Sequence, residues 1–390
     1  MKPTTTLLLL SALLSPASTA APLKITAENK LSISRSSQTL ELTAAQLSSL
    51  GSDDLTIIHV QDASGKELVV QAVDTDGDAY RKPDILIFQA DFAANESHSF
   101  TASLGKKRYY TKDQYKAYGR FIRERFDDFA WENDRVAHRT YGKALETWEG
   151  EPLSSSTIDV WSKGTSRLVI NDWYLTDDYH SDHGEGADFY SAGASRGGGG
   201  NGVWAADKLW TSRNFSHSNV LSNGPIRVLF ELTYQPFEVN GISVSEMKRV
   251  SLDAGSQFNR FQSTYKPFTR PGQKQKLTSA IGLRKTPDAK KEVNAADGTL
   301  TVWEKVASNG GNQGLAIVVA PELWVKDAEN DLNHLVLTGA GDADSITYHA
   351  GSCWDKAGHI PSAEAWQKHV REFVQSLASP IEITVTSATN

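Results

Sequence analysis

Two histidines, a run of carboxylates and four consecutive glycines crowd the stretch DYHSDHGEGADFYSAGASRGGGG, from Asp178 to Gly200. His180, Asp182 and His183 fall within four positions, with Glu185 and Asp188 close behind. A carboxylate beside an imidazole fixes its tautomer and tunes its pKa, the usual arrangement for a general base. His180 with Asp182 is the candidate pair, and the phenols of Tyr179 and Tyr190 are candidate proton donors. The same imidazoles suit a divalent metal, because zinc takes neutral histidines plus a carboxylate. H-x-D-H is no established zinc spacing, so His180 and His183 stand only as candidate ligands. The glycines lack both the Gly-Lys-Ser/Thr ending of a P-loop and the βαβ setting of a dinucleotide fingerprint, so no nucleotide or flavin is implied. They are expected to bring backbone close beneath a bound sugar ring, with Arg196 projecting into the same cleft.

Two further stretches carry reactive groups. WENDRVAHRTYG, from Trp131 to Gly142, reads as one strand. On that reading Trp131, Asn133, Arg135, Arg139 and Tyr141 share one face, while His138 lies on the other. Neither face is apolar, which suggests the floor of a polar cleft. There Arg135, assisted by Asn133, and Arg139 can hold a carboxylate in a two-pronged grip. His138 and His183 are rival proton donors. In YHAGSCWDKAG, Trp354 suits stacking on a sugar face or closure of the core, and Lys356 adds a cation.

These groups need a scaffold, and the pattern around them is β-rich. LTIIHV, ELVVQAV, DILIFQADF and SHSFTASL precede residue 105, and a second series begins at Pro225 with PIRVLFELTYQPFEV. Short alternating runs joined by turns predict antiparallel sheets stacked as a sandwich, with few helices. One helix is expected where Ala365, Trp366, Val370, Phe373, Val374 and Leu377 recur at helical spacing. DTDGDAYRKPD lacks the glutamate and flanking helices of an EF-hand and reads as an acidic turn.

At 390 residues with 39% hydrophobic and 22% charged side chains, the chain can bury a large core. The net charge of -7 leaves no basic surplus for a nucleic-acid backbone, so no nucleic acid is expected as partner. Lys2, the run LLLLSALL and the small residues before Ala21 fit a signal peptide over residues 1–20. That run is too short to anchor the chain in a membrane, so a periplasmic or secreted protein is expected. Residues 21–390 then form a single large β domain, with a smaller β subregion over 21–105. Cys353 is the only cysteine, which excludes an internal disulfide.

The blocks FAWENDRVAHRTYG, IDVWSKG, VINDWY, YHSDHGEGADFYSAGASRGGGG, FELTYQPFEVNGISVSEMKRVSLDAGSQFNRFQSTY and YHAGSCWDKAG occur in this order. Together they resemble the DUF4861 family of exported bacterial proteins over most of the mature chain. The resemblance implies a galactose-mutarotase-like supersandwich. It also implies action on anionic oligosaccharides, by removal of water from the non-reducing-end uronic acid of ulvan to leave a 4,5-unsaturated sugar. It assigns no residue a role. Chemistry alone makes Arg135 the carboxylate's partner, His180 the base at C5, and a tyrosine or second histidine the acid at the departing hydroxyl. A polysaccharide lyase would use the same groups to expel a sugar, and a glycan-binding protein would need only the aromatics.

Overall fold

Alternation of apolar and polar residues becomes strand almost throughout the chain. The computed structural model describes residues 21–387 apart from 79–81, 151, 177, 270–274, 308–309 and 340–344. The expected signal peptide therefore lies outside the described residues. The first part of the chain holds β1 (Leu23–Glu28), β2 (Arg35–Thr43), the one-turn helix α1 (Ala44–Leu47), β3 (Ile58–Asp62), β4 (Val70–Val73), β5 (Ile85–Phe92) and β6 (Ser97–Leu104). The middle supplies β7 (Ala117–Ile122), β8 (Asp128–Asn133), β9 (Ala137–Thr140), β10 (Asp159–Lys163), α2 (Ile170–Thr176), β11 (Gly186–Ala187), β12 (Gly198–Ala205) and β13 (Lys208–Trp210). Then come β14 (Phe215–Asn223), β15 (Arg227–Val239), β16 (Ile242–Asp253), β17 (Phe258–Pro267), β18 (Thr278–Arg284), β19 (Lys290–Asn294) and β20 (Thr299–Lys305). The last elements are β21 (Asn312–Val319), β22 (Trp324–Glu329), β23 (Asn333–Thr338), β24 (Ser345–Trp354), α3 (Ala363–Ala378) and β25 (Glu382–Ser387).

The fold is mainly β, built of stacked antiparallel sheets. An eight-stranded sheet in the order β14-β15-β16-β17-β24-β21-β20-β19 forms the central layer. Against one face pack two five-stranded sheets, β13-β12-β18-β23-β22 and β11-β10-β9-β8-β7. Phe129, Trp131, Phe230, Phe261 and Tyr348 fill the space between these layers. Each such side chain taken from water contributes about 1.5–3 kcal/mol before conformational entropy is set against it. The first part of the chain, joined by β25, makes the sheets β25-β1-β6-β3 and β2-β5-β4 around its own core of Ile25, Leu40, Phe88 and Phe100.

Helix α3 forms where the apolar spacing predicts it. Ser362 caps it by accepting from the Ala365 N–H, and Trp366 and Val370 are buried beneath it. One expectation fails. WENDRVAHRTYG is a hairpin of two strands, because Asn133 turns the chain: its Oδ1 accepts from the N–H groups of Arg135 at 2.8 Å and Val136 at 2.9 Å. Its amide donates to the carbonyls of Asp253 and Ser256 at 2.6 and 2.8 Å, so the side chain is fully engaged in structure. The turn shifts the alternation. Trp131 and His138 face the core between the sheets, whereas Arg139 faces outward under α2 and the 178–188 loop.

Candidate active site

The loop that opened the sequence reading folds back on itself. Gly184 and Gly186 adopt φ of +101° and +103°, which an L side chain tolerates poorly. At Gly186 a Cβ would also stand 2.0 Å from the Ser162 carbonyl oxygen, so β11 can pair with β10 only because nothing is there. Asp182 stabilises this turn by accepting from the N–H groups of Gly184 at 2.7 Å and Gly186 at 3.0 Å. It therefore does not orient His180. That task falls to Asp188: Nδ1 of His180 lies 3.0 Å from the Asp188 carbonyl oxygen and 3.6 Å from its carboxylate. A carbonyl only accepts, so Nδ1 carries the proton, and in the neutral ring Nε2 keeps a lone pair. The ring is 62% exposed, which leaves that lone pair open to a ligand. His183 is exposed too, with Nε2 2.9 Å from Asp178. Among the described residues, no group of three candidate ligand atoms gathers around these two histidines.

Beneath His180 lies a buried ionic cluster that the strand reading missed. Arg139 donates to Asp159 and to Asp188, both at 2.8 Å, with Asp128 at 3.7 Å and the Tyr179 hydroxyl at 3.2 Å. Arg139 is thus encircled by carboxylates and is not open to a substrate's. Three buried carboxyls face one guanidinium, with the half-buried Arg125 donating to Tyr179 at the margin. Burial, more than any neighbour, pushes Asp128 up to about 7. Burial and the adjacent Asp159 charge likewise raise Asp188. Tyr179, ringed by these groups and stacked on Trp161, belongs to the cluster, and its hydroxyl accepts from both arginines. The signal for this cluster was partial: Asp128 and Asp159 each open a strand and are followed directly by apolar residues, Phe129 and Ala130 in one and Val160 and Trp161 in the other.

A recess borders the same sheet. It is narrow, with a volume of about 10 Å³, and is lined by Arg135, Trp161, Ser162, Lys163, Ser352 and Trp354 among others. Lys163 is buried and donates to Glu132 at 2.8 Å and to the Asn133 carbonyl at 2.5 Å. Glu132 in turn accepts from the N–H groups of Val169 and Ile170, both at 2.8 Å, at the start of α2. Arg135, at the mouth, donates to the exposed His359 imidazole. The hydroxyls of Ser162 and Ser352, the Gln313 carbonyl and the Trp161 N–H are buried without partners among the described residues. Unpaired polar groups of this density are costly unless something fills the space. Gly186 of β11 sits opposite Lys163 of β10, so the His180 loop and the recess share one sheet edge.

The remaining candidates fall elsewhere. Trp354 is buried, donates to the Gly310 carbonyl at 2.6 Å and presents only part of its ring to the recess. Lys356 is exposed on the following turn. Tyr190 is buried with its hydroxyl unpartnered, and burial raises its pKa well above 10, so it meets no substrate. His138 stacks on Trp131 with centroids 5.3 Å apart, and burial lowers its pKa to about 3. A ring held neutral and enclosed in this way is no acid for a surface site. Arg196 is also enclosed: it donates to Ser155 at 2.7 Å and Ser156 at 3.1 Å, and burial lowers its pKa to about 10. The glycine run does permit close approach, but to protein. A Cβ at Gly199 would lie 2.3 Å from that of Ala350 on the facing sheet, and Tyr348 donates to the Gly199 carbonyl at 2.8 Å. In the acidic turn, one carboxylate oxygen each from Asp74, Asp76 and Asp84 lies within 4.8 Å of the others, and Asp74 and Asp84 accept local N–H groups.

Among solved structures, the chain is similar to an α-mannosidase and to a glycosyl hydrolase family 38 protein, both from Enterococcus faecalis. Each aligns with TM-score 0.45 and 10% identity over 95% of this chain, which spans only 46% and 48% of theirs. Among proteins known by sequence, the uncharacterized protein P7 of Formosa agariphila is 30% identical over 379 residues, 93% of either chain. The domain of unknown function DUF4861 matches residues 27–383, nearly everything the structure describes, and the chain belongs to that family.

Proposed function

We propose that this chain is a carbohydrate-active enzyme of the elimination type. It removes water from the non-reducing-end uronic acid of ulvan-like oligosaccharides, leaving a 4,5-unsaturated uronyl residue. The observation that carries the reading is His180, pinned at Nδ1 and open at Nε2 beside a cationic recess. In the reaction Nε2 takes the C5 proton, the C5–H electron pair becomes the C4–C5 double bond, and the C4–O bond breaks. The departing hydroxyl takes a proton from His183 and leaves as water. Arg135 sits against the substrate carboxylate, whose negative charge otherwise opposes loss of the C5 proton. Asp188 is a positioning residue, acting through His180.

Incubation with ulvan-derived oligosaccharides should raise ultraviolet absorbance from the conjugated product, and mass spectrometry should show loss of water with chain length unchanged. Shortened chains would instead identify a polysaccharide lyase. No spectral change with any uronate oligosaccharide would end the elimination reading.

A further inference from the structure

A second cavity lies on the other side of the central sheet, away from His180. It has a volume of about 380 Å³ and opens between β2, the reverse face of β16, β17 and β24, and helix α3. Ser251, Arg260 and His349 are cross-strand neighbours on this face. Arg35 and Arg227 border it but are already engaged. Arg35 donates to the Ser379 carbonyl at 2.9 Å and to Gln38 at 2.9 Å. Arg227 pairs with Asp253 at 2.5 Å and Glu41 at 2.7 Å. The Arg260 guanidinium makes no hydrogen bond or ion pair with any described residue. Gln257, only 7% exposed, contributes a buried Oε1 that also lacks a partner. Serines 34, 36, 37 and 251 offer hydroxyls, and Phe258 and Phe373, stacked 3.9 Å apart, form an apolar wall.

We propose that this cavity is a second binding site, for a hydroxyl-rich small molecule bearing one oxyanion, a carboxylate or a sulfate half-ester. Arg260 takes the anion, because its guanidinium has no ion-pair partner, Glu41 nearby being already paired with Arg227, and its planar fork fits either group. Glu372 on α3 opposes a second negative charge. Gln257 and the serines take the hydroxyls, and the phenylalanine wall takes a ring's apolar face. His349 is kept neutral by burial and by Arg260, with its pKa lowered to about 4, and so adds a hydrogen-bonding group without a second charge.

The test is calorimetric titration of the full chain carrying His180→Ala and Arg135→Gln, which removes the front site. The probes are sodium glucuronate, glucose 6-sulfate and glucose. At least one acidic sugar should bind at one site per chain while glucose does not, and adding Arg260→Gln should weaken that binding about tenfold or more. The preferred acid identifies the anion. Binding unchanged by Arg260→Gln in a folded variant, or no binding of either acid, overturns the proposal. No turnover is read, so the result is independent of the elimination chemistry.

Discussion

The cluster around Arg139 and the cavity around Arg260 hold the same guanidinium in opposite circumstances. Under the 178–188 loop, three carboxylates surround one arginine and all four groups are buried. Behind the central sheet, an arginine stands beside open space with no carboxylate of the described residues in ion-pair contact with it. The first arrangement secures a fold, since the guanidinium is answered by protein carboxylates and a protein hydroxyl. The second leaves recognition unfinished. An arginine in a polar sequence stretch is therefore not by itself a substrate partner; what already surrounds it decides. Arg139 and Arg196 were both expected in a cleft, and the structure encloses both, one among carboxylates and one among hydroxyls.

The contrast is broken most severely at Arg139. Arg139→Leu strands three buried carboxyls and should cost roughly 3–5 kcal/mol or prevent folding, as read by chemical denaturation. A variant as stable as the parent would mean that the carboxyls are neutral without the arginine. His180→Ala acts on function instead, lowering turnover by about 10²–10⁴-fold with stability unchanged, because the ring is exposed. Equal turnover would remove His180 as base.

Proton linkage sharpens the comparison next. In the fold Asp128 keeps its proton up to about 7, against an ordinary value of 3.8. The folded chain then binds more protons than the unfolded one between those limits, so stability falls as pH rises from about 4 to 7. Asp128→Asn should flatten that decline in denaturation midpoints measured across the window. An undiminished slope would assign it to Asp159 and Asp188. The smallest effect belongs to the cavity: Arg260→Gln should change stability by less than about 0.5 kcal/mol, since no partner is lost.

How much of this was legible depended on distance along the chain. The strand series and α3 announce themselves through local period, and burial of Trp366 and Val370 follows from it. The turn at Asn133 was hidden because it contains no glycine or proline and rests on a side-chain oxygen. His180 was paired with Asp182, its neighbour in sequence, whereas the left-handed glycines at 184 and 186 curl the chain to bring Asp188 underneath. The recess had still less to show in sequence. Arg135, Lys163 and Ser352 come from three separate strands or turns, and only tertiary packing makes them neighbours.

The pairing of β1 with β25, from Leu23 opposite Ser387 to Glu28 opposite Glu382, bears on the order in which the molecule is assembled. β1 emerges first among the strands and waits for the last. Its sheet carries an open edge throughout synthesis, and an open edge invites pairing with the wrong chain. Within the central sheet, the hairpins from β14 to β17 and from β19 to β21 close early, although β24 must arrive to join them. The N-terminal lobe is thus the part finished last, and a chain released before residue 382 would leave β1 without that partner, exposed to aggregation or proteolysis.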